Sequence, residues 1–307
     1  MFFMSNSDKM KNNINQKPAA VALGSFDGVH IGHRLVILNA VSQKNLIPKV
    51  FTFSSESEKP QSKDGFGSIY SENQRFSIIY SLGVKEIYAP AFSEVKDLSG
   101  EEFFRSVIVE KLCAKAVFCG ENFKFGKNAS DNVENLKLFC EKYGVKLFVS
   151  PMVFSDGEIV SSTRIRKLLM DGNIKAASKL LGTPYFIEEP VVHGNRFGRT
   201  IDFPTINQPF PDYRLVPKFG VYSGTAEIDG KLYPSLTNIG CKPTVSDSLI
   251  PLAETYIHGY SENYFTEDLY GRTVKVFLSD FLRPERKFSS IDELRRQIAS
   301  DVSTLCK

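Results

Sequence analysis

A chain of 307 residues, 42% of them hydrophobic, can bury sizeable cores, and its length suggests about two domains. Its 38 Lys and Arg against 35 Asp and Glu leave a net charge of only +3, so charge forces no polyanion-binding surface and no nucleic-acid partner is expected. Five cysteines without a Cys-x-x-Cys pair read as reduced thiols in a cytoplasmic setting, and no apolar run reaches a membrane span, so no membrane partner is expected.

The opening MFFMSNSDKMKNNINQK turns polar after its first residues, and residues 1–17 are expected to be a disordered tail. From Ala19 to about Thr183, short apolar runs alternate with amphipathic segments. AVALGSF, PKVFTF, VKEIYAPAF, AKAVFCG and VKLFVSPMV predict buried strands, apolar throughout rather than alternating. Helices are predicted between them. Capping boxes stand at Ser71 to Gln74 and Ser99 to Glu102, and stop signals at Gly83, Gly144, Gly172 and Gly182. Such alternation predicts a Rossmann-like α/β domain, a parallel sheet with ligands at the carboxyl ends of its strands. The Ser-rich stretch Ser54 to Ser68 reads as a loop.

After GTPY the texture changes to short runs broken by Gly, Pro, Asn and Asp. EIDGKLY carries a hairpin signal at Asp229-Gly230, and one closing helix opens with Ser290 and Glu293. Many short strands with a single helix predict a small antiparallel β-barrel. The expected division is therefore residues 18–183 and residues 184–307.

Two stretches of the first half carry chemistry. GSFDGVHIGH, Gly24 to His33, follows a strand and leads into a helix. Gly24, Gly28 and Gly32 allow close approach of backbone amides, and a helix N-terminus favours a phosphate. The spacing matches neither the dinucleotide fingerprint nor a Walker A loop. What remains is HxGH, which places His30 and His33 on one face of the first helical turn, able to donate to phosphoryl oxygens. Phe26 and Asp27 belong to the same candidate nucleotide loop. A histidine pair that caps the helix or fills a core is the alternative, and zinc lacks a third ligand. VSSTRIR, Val160 to Arg166, again lies between strand and helix. Ser162 and Thr163 can cap the helix or contact phosphate, and Arg166, rather than Arg164, is aimed at the nucleotide.

In the second half, HGNRFGRTIDFPTIN frames a basic loop with glycines, Gly198 and Arg199 among its residues, suited to covering phosphates. Thr205 and Asn207 fall on one side of an extended segment, where a hydroxyl and an amide could hold a hard cation with nucleotide phosphates. A turn followed by an edge strand is the alternative reading. Glu254 sits on a predicted strand among apolar neighbours, either paired with a base such as Arg283 or tuned to accept a proton. His258, four residues on, reads as structural.

GSFDGVHIGH and VSSTRIR resemble the two signatures of the HxGH nucleotidyltransferases. With CGENFKFG, which contributes Asn122, they resemble the adenylyltransferase half of the bifunctional riboflavin kinase/FMN adenylyltransferase family. PTIN, PKFGVYSG, TNIGCKPTV, the ET pair at Glu254, EDLYGRTVKVFL and LRPERKF resemble that family's riboflavin kinase barrel. The resemblance implies ATP, riboflavin and FMN as small-molecule partners, flavins as substrate and product, and Mg2+ entering with ATP. It implies His30 and His33 on the polyphosphate, with Ser162, Thr163 and Arg166 assisting. It further implies Thr205 and Asn207 on magnesium and ATP, Glu254 as general base toward the riboflavin 5′-hydroxyl, and Arg283 near the flavin.

Three positions depart from the family pattern. Glu56 stands where a histidine is usual, Asn128 follows Lys127 where glycine is expected, and Asp202 replaces a glycine before Phe-Pro-Thr. They motivate two alternatives: a riboflavin kinase with a weakened or regulatory N-terminal half, and a flavin- or nucleotide-binding regulator without turnover.

Overall fold

The computed structural model describes residues 17–54, 67–194, 197–243, 249–260 and 269–305. The expected tail up to residue 16, most of the Ser54–Ser68 loop with Glu56, and parts of TNIGCKPTV and EDLYGRTVKVFL lie outside the described residues. The chain forms two compact units, Met1–Pro60 with Arg75–Val153, and Gln61–Gln74 with Phe154–Lys307.

The first unit is built on β1 (Ala19–Leu23), β2 (Ile47–Phe51), β3 (Glu86–Tyr88), β4 (Ala114–Gly120) and β5 (Lys146–Ser150). They form one parallel sheet in the order β3-β2-β1-β4-β5. The connections carry α1 (Ile31–Val41), α2 (Glu72–Ser81), α3 (Phe92–Val95), α4 (Gly100–Phe103), which runs on as a π-helical stretch Phe104–Lys111, and α5 (Val133–Tyr143). Local chemistry made these ends legible. Ser71 and Gln74 exchange bonds of 3.1 and 3.4 Å, and Ser99 accepts from the Glu102 amide at 3.3 Å. All five residues of β1 are buried, as its unbroken apolar run predicts. β5 departs from that expectation. It is an edge strand of the sheet, paired on one side only, and Phe148 and Val149 are each 40% exposed. The sequence order reverses at β1, which has β2 on one side and β4 on the other. That makes its carboxyl end a topological switch point, where open α/β sheets place their ligands.

The second unit opens with the hairpin β6 (Phe154–Ser155) and β7 (Glu158–Ile159), then α6 (Ser162–Met170) and α7 (Ile174–Leu181). Six strands follow: β8 (Phe186–Pro190), β9 (Thr205–Pro209), β10 (Gly220–Ile228), β11 (Lys231–Pro243), β12 (Leu249–Ile257) and β13 (Thr273–Arg283). Between β8 and β9 runs α8 (Phe197–Thr200), and α9 (Ile291–Ser303) closes the chain. All strand pairs are antiparallel, in the order β8-β13-β10-β11-β12-β9. The first and last strands meet where the Val192 amide donates to the Asn207 carbonyl at 2.8 Å, so the barrel is nearly closed. The β10–β11 hairpin turns at Asp229 and Gly230, both with positive φ (50 and 76°), the geometry that Asp-Gly favours.

Two segments that precede the expected boundary at Thr183 pack on this barrel. Helix α7 buries Ile174, Ala177, Leu180 and Leu181 while contacting α6 and β13. The segment 67–74 joins by Ser68 pairing with Tyr213 and Leu215, by Tyr70 stacking on Phe186 at 4.8 Å, and by Gln74 donating to the Glu188 carbonyl at 2.8 Å.

Candidate active sites

At the carboxyl end of β1 the backbone takes an unusual course. Phe26, Gly28 and Val29 all have positive φ (49, 78 and 43°), a cost that side-chain residues seldom bear outside functional loops. This brings His30 to the N-cap of α1, where its Nδ1 accepts from the His33 amide at 3.3 Å. That bond assigns the tautomer: with Nδ1 accepting, a neutral His30 carries its proton on Nε2, free to donate. The two imidazoles stack, centroids 3.6 Å apart and planes 17° from parallel. Gly32 makes room for them, since a Cβ there would lie 3.2 Å from the His30 ring.

Burial pushes His30 down to about 4. His33 is held well below the usual imidazole value, first by burial and then by the charges of His30 and Arg75. Both rings are therefore neutral at pH 7. His33 Nδ1 is buried without a hydrogen-bond partner, an orphaned polar atom of the kind that functional sites retain.

The neighbouring loop residues divide in role. The Gly24 amide is engaged by the Phe51 carbonyl at 3.2 Å, so it is not open to a ligand as the spacing suggested. Phe26 is 1% exposed and sets its ring edge-on to His33 at 5.3 Å, so it packs under the histidine pair. Asn122 is exposed, just beyond the carboxyl end of β4, the strand adjacent to β1. Asn128, where the family pattern puts glycine, adopts φ 56° and ψ 25°, a left-handed geometry that asparagine tolerates better than most residues.

The VSSTRIR residues fall in the second unit. The cap of α6 is Ser161, which accepts from the Arg164 amide at 3.2 Å, so Ser162 and Thr163 are not the capping residues but open the first turn. Arg164 is held by the β6–β7 hairpin through the Ser155 carbonyl at 2.9 Å and the Glu158 carboxylate at 3.0 Å. Arg166 points the other way, is 7% exposed, and donates to the Gly67 carbonyl at 3.1 Å.

Inside the second unit, one cavity of about 250 Å³ gathers Thr205, Asn207, Glu254 and Arg283, with Gly198 and Arg199 at its wall. Register explains the convergence. Glu254 on β12 stands opposite Asn207 on β9 and opposite Asn238 on β11, so the three side chains form a row on one face of the barrel wall. Asn207 Oδ1 is buried without a hydrogen-bond partner among the described residues. Arg283 does not serve as a partner holding Glu254: its Nε and Nη2 go to Asp301 of α9 at 3.0 and 2.7 Å, and Gln297 steadies the same carboxylate at 2.8 Å.

Asp202 has φ 63°, the positive value its glycine-like position demands, and its charge is met by Arg295 of α9. Asn238, Glu285 and Asp301 also line the cavity, with Asn238 Nδ2 donating to Glu285 at 3.0 Å. Asn238 and Glu285 were visible only as letters within TNIG and LRPERKF, and Asp301 carried no signal at all. Among the described residues, no group of three His, Cys, Asp or Glu is arranged to hold a metal ion, no cysteine is in a disulfide, and no helix is long and apolar enough to cross a membrane.

A buried imidazole pair at the switch point of a parallel sheet, and a carboxylate and amide row lining a cavity of an antiparallel barrel, are arrangements of the kind that nucleotide-dependent transferases carry. A family model described as FAD synthetase matches residues 12–164, and one described as riboflavin kinase matches residues 181–307. The bifunctional riboflavin kinase/FMN adenylyltransferase of Bacillus subtilis strain 168 is 33% identical over 292 residues, 93% of this chain and 91% of that protein. The protein of the same name from Escherichia coli K12 is 32% identical, covering 95% and 94%. A crystal structure described as a macrolide-efflux protein from Streptococcus pneumoniae superposes with a TM-score of 0.82 at 32% identity, over 95% of both chains. The chain belongs to the bifunctional riboflavin kinase/FMN adenylyltransferase family, and both domains of that family are present.

Proposed function

We propose that this chain phosphorylates riboflavin to FMN in the barrel and adenylylates FMN to FAD at the parallel sheet, using one ATP in each step. The observation that carries the proposal is the convergence of Glu254, Asn207, Thr205 and Arg283 on one barrel cavity. In the kinase step the Glu254 carboxylate accepts the proton of the riboflavin 5′-hydroxyl as that oxygen bonds to the γ-phosphorus of ATP and ADP leaves. Arg283, braced by Asp301, contacts the flavin, and Gly198 and Arg199 lie over the nucleotide phosphates. The donor set suits magnesium, a hard ion that takes few protein oxygens: Thr205 and the orphaned Asn207 Oδ1 would hold it. When bound, the ion would neutralise phosphate charge, the main electrostatic task of phosphoryl transfer.

In the second step an FMN phosphate oxygen attacks the α-phosphorus of ATP and pyrophosphate leaves. His30 Nε2–H donates to the polyphosphate, with His33, Asp27, Gly28, Asn122, Ser162, Thr163 and Arg166 as the remaining nucleotide residues. Neutral imidazoles are suited to this, since each retains a donor without needing a counter-charge before substrate arrives. The functional division lies at residues 183/184, and the setting is cytoplasmic, in keeping with thiols that form no disulfide among the described residues. Two of the departures are accommodated locally, Asn128 by its left-handed backbone and Asp202 by Arg295, which favours turnover over a silent binding role.

The test is to incubate the full chain with riboflavin and MgATP and resolve the flavins by chromatography. FMN and FAD are both expected. FMN without FAD would sink the bifunctional reading, and neither product would favour the regulator.

A further inference from the structure

We infer that Arg75 is a positioning residue for adenylyl transfer, fastening the loops that follow β1 and β2 so that His30 and His33 stand where the polyphosphate is received. The inference rests on reading that histidine pair as the adenylyl-transfer site. Arg75 lies on α2, outside every motif of the sequence, and is only 6% exposed. Its Nη1 donates to the Ser25 carbonyl at 2.9 Å and to Thr52 Oγ1 at 3.4 Å, while Nη2 donates to the Phe53 carbonyl. Thr52 Oγ1 donates to the same Ser25 carbonyl at 2.8 Å.

Ser25 directly precedes Phe26, the first residue of the left-handed course that delivers His30 to the helix cap. Phe53 stands just beyond β2, the strand beside β1. One planar guanidinium thus joins two strand ends at the switch point, a task for which its fixed fork of donors is suited and a lysine ammonium is not.

Carbonyl acceptors could have been met by a neutral donor, and burying a cation is costly. The charge of Arg75 also bears on His33. Among the described residues, His30, from its own helical turn, and Arg75, from α2, both oppose protonation of His33. Burial is the main cause that keeps His33 neutral, and Arg75 adds a fixed positive charge beside the site that acts in the same direction.

The test uses the full chain and the variants Arg75→Met and Arg75→Lys. The ring carbons of the four histidines are followed by NMR across pH, and both activities are assayed in the same samples. Removing a neighbouring positive charge eases protonation, so in Arg75→Met the His33 midpoint should rise and the acid limb of FMN adenylylation should move to higher pH. Its kcat/KM should fall about 10- to 100-fold, the size of effect that misplaced groups produce. Arg75→Lys should lose rate through the broken clamp but keep the acid limb. Riboflavin phosphorylation should be unchanged in both.

An unmoved His33 midpoint in Arg75→Met overturns the inference, as does undiminished adenylylation or a parallel loss of phosphorylation, which would mark Arg75 as a general structural residue. If the unaltered protein makes no FAD from FMN, the reading of the site fails, and the histidine titration still decides whether Arg75 acts on His33.

Discussion

On the barrel wall, the Glu254 carboxylate lies between two amides, Asn207 on one neighbouring strand and Asn238 on the other. An amide on each neighbouring strand can orient a carboxylate that must take a proton and release it again. Glu254→Gln keeps the shape and removes the basicity. FMN formation should fall by about 10²- to 10⁴-fold, while FAD formation from supplied FMN should persist. His30→Ala should do the reverse, because it removes the Nε2–H donor and the α1 cap together and leaves the barrel untouched. Chromatography of flavin products with each substrate checks both. Loss of both activities in either folded variant would overturn the assignment of two sites. Single residues were legible in the sequence where their chemistry is local. Asp202 stands where the family pattern has glycine, and its backbone adopts φ 63°, a value that glycine takes readily. Its partner Arg295 was not foreseen, since nothing in a linear pattern connects positions 93 residues apart.

At the scale of elements, the caps and stops were readable because they depend on residues a few positions apart. What the elements face was not readable from composition. β5 has the apolar run of a central strand yet lies at the edge, since strand order is a property of the whole sheet. β10 and β13 show the same dependence on neighbours. A Cβ at Gly224 would lie 1.9 Å from the Phe277 carbonyl oxygen of β13, closer than any side chain can approach. Gly224→Ala should therefore cost about 2 kcal/mol or more by forcing these two strands apart. It should appear as a lower urea midpoint with an unchanged slope. An unaltered midpoint would mean that the strands adjust freely there.

For the whole molecule, the modules that motifs define and the units that packing defines have different edges. Helix α7, with α6 packed against it, and the segment 67–74 precede the second motif set in sequence, yet they belong to the same unit as the barrel. A fragment of residues 184–307 would lack the four apolar side chains that α7 buries. Each large apolar side chain contributes on the order of 1.5–3 kcal/mol when fully buried. A fragment of residues 154–307 should accordingly melt at least about 5 °C higher than one of residues 184–307. Equal melting temperatures would show that the helices add nothing to the barrel.

By itself, the sequence determined the two classes of element, their approximate ends, and the two motif sets that place the chain in its family. These are short-range matters: periodicity, capping and the spacing of side chains along one turn or one strand. Only the tertiary structure decided that Asn207, Glu254 and Asn238 share a row, that Arg283 answers to Asp301, and that Arg75 ties the loop bearing His30 and His33 to the end of β2. Those relations join residues distant in the chain, and they exist only once strand order and register have set which distant backbones lie side by side.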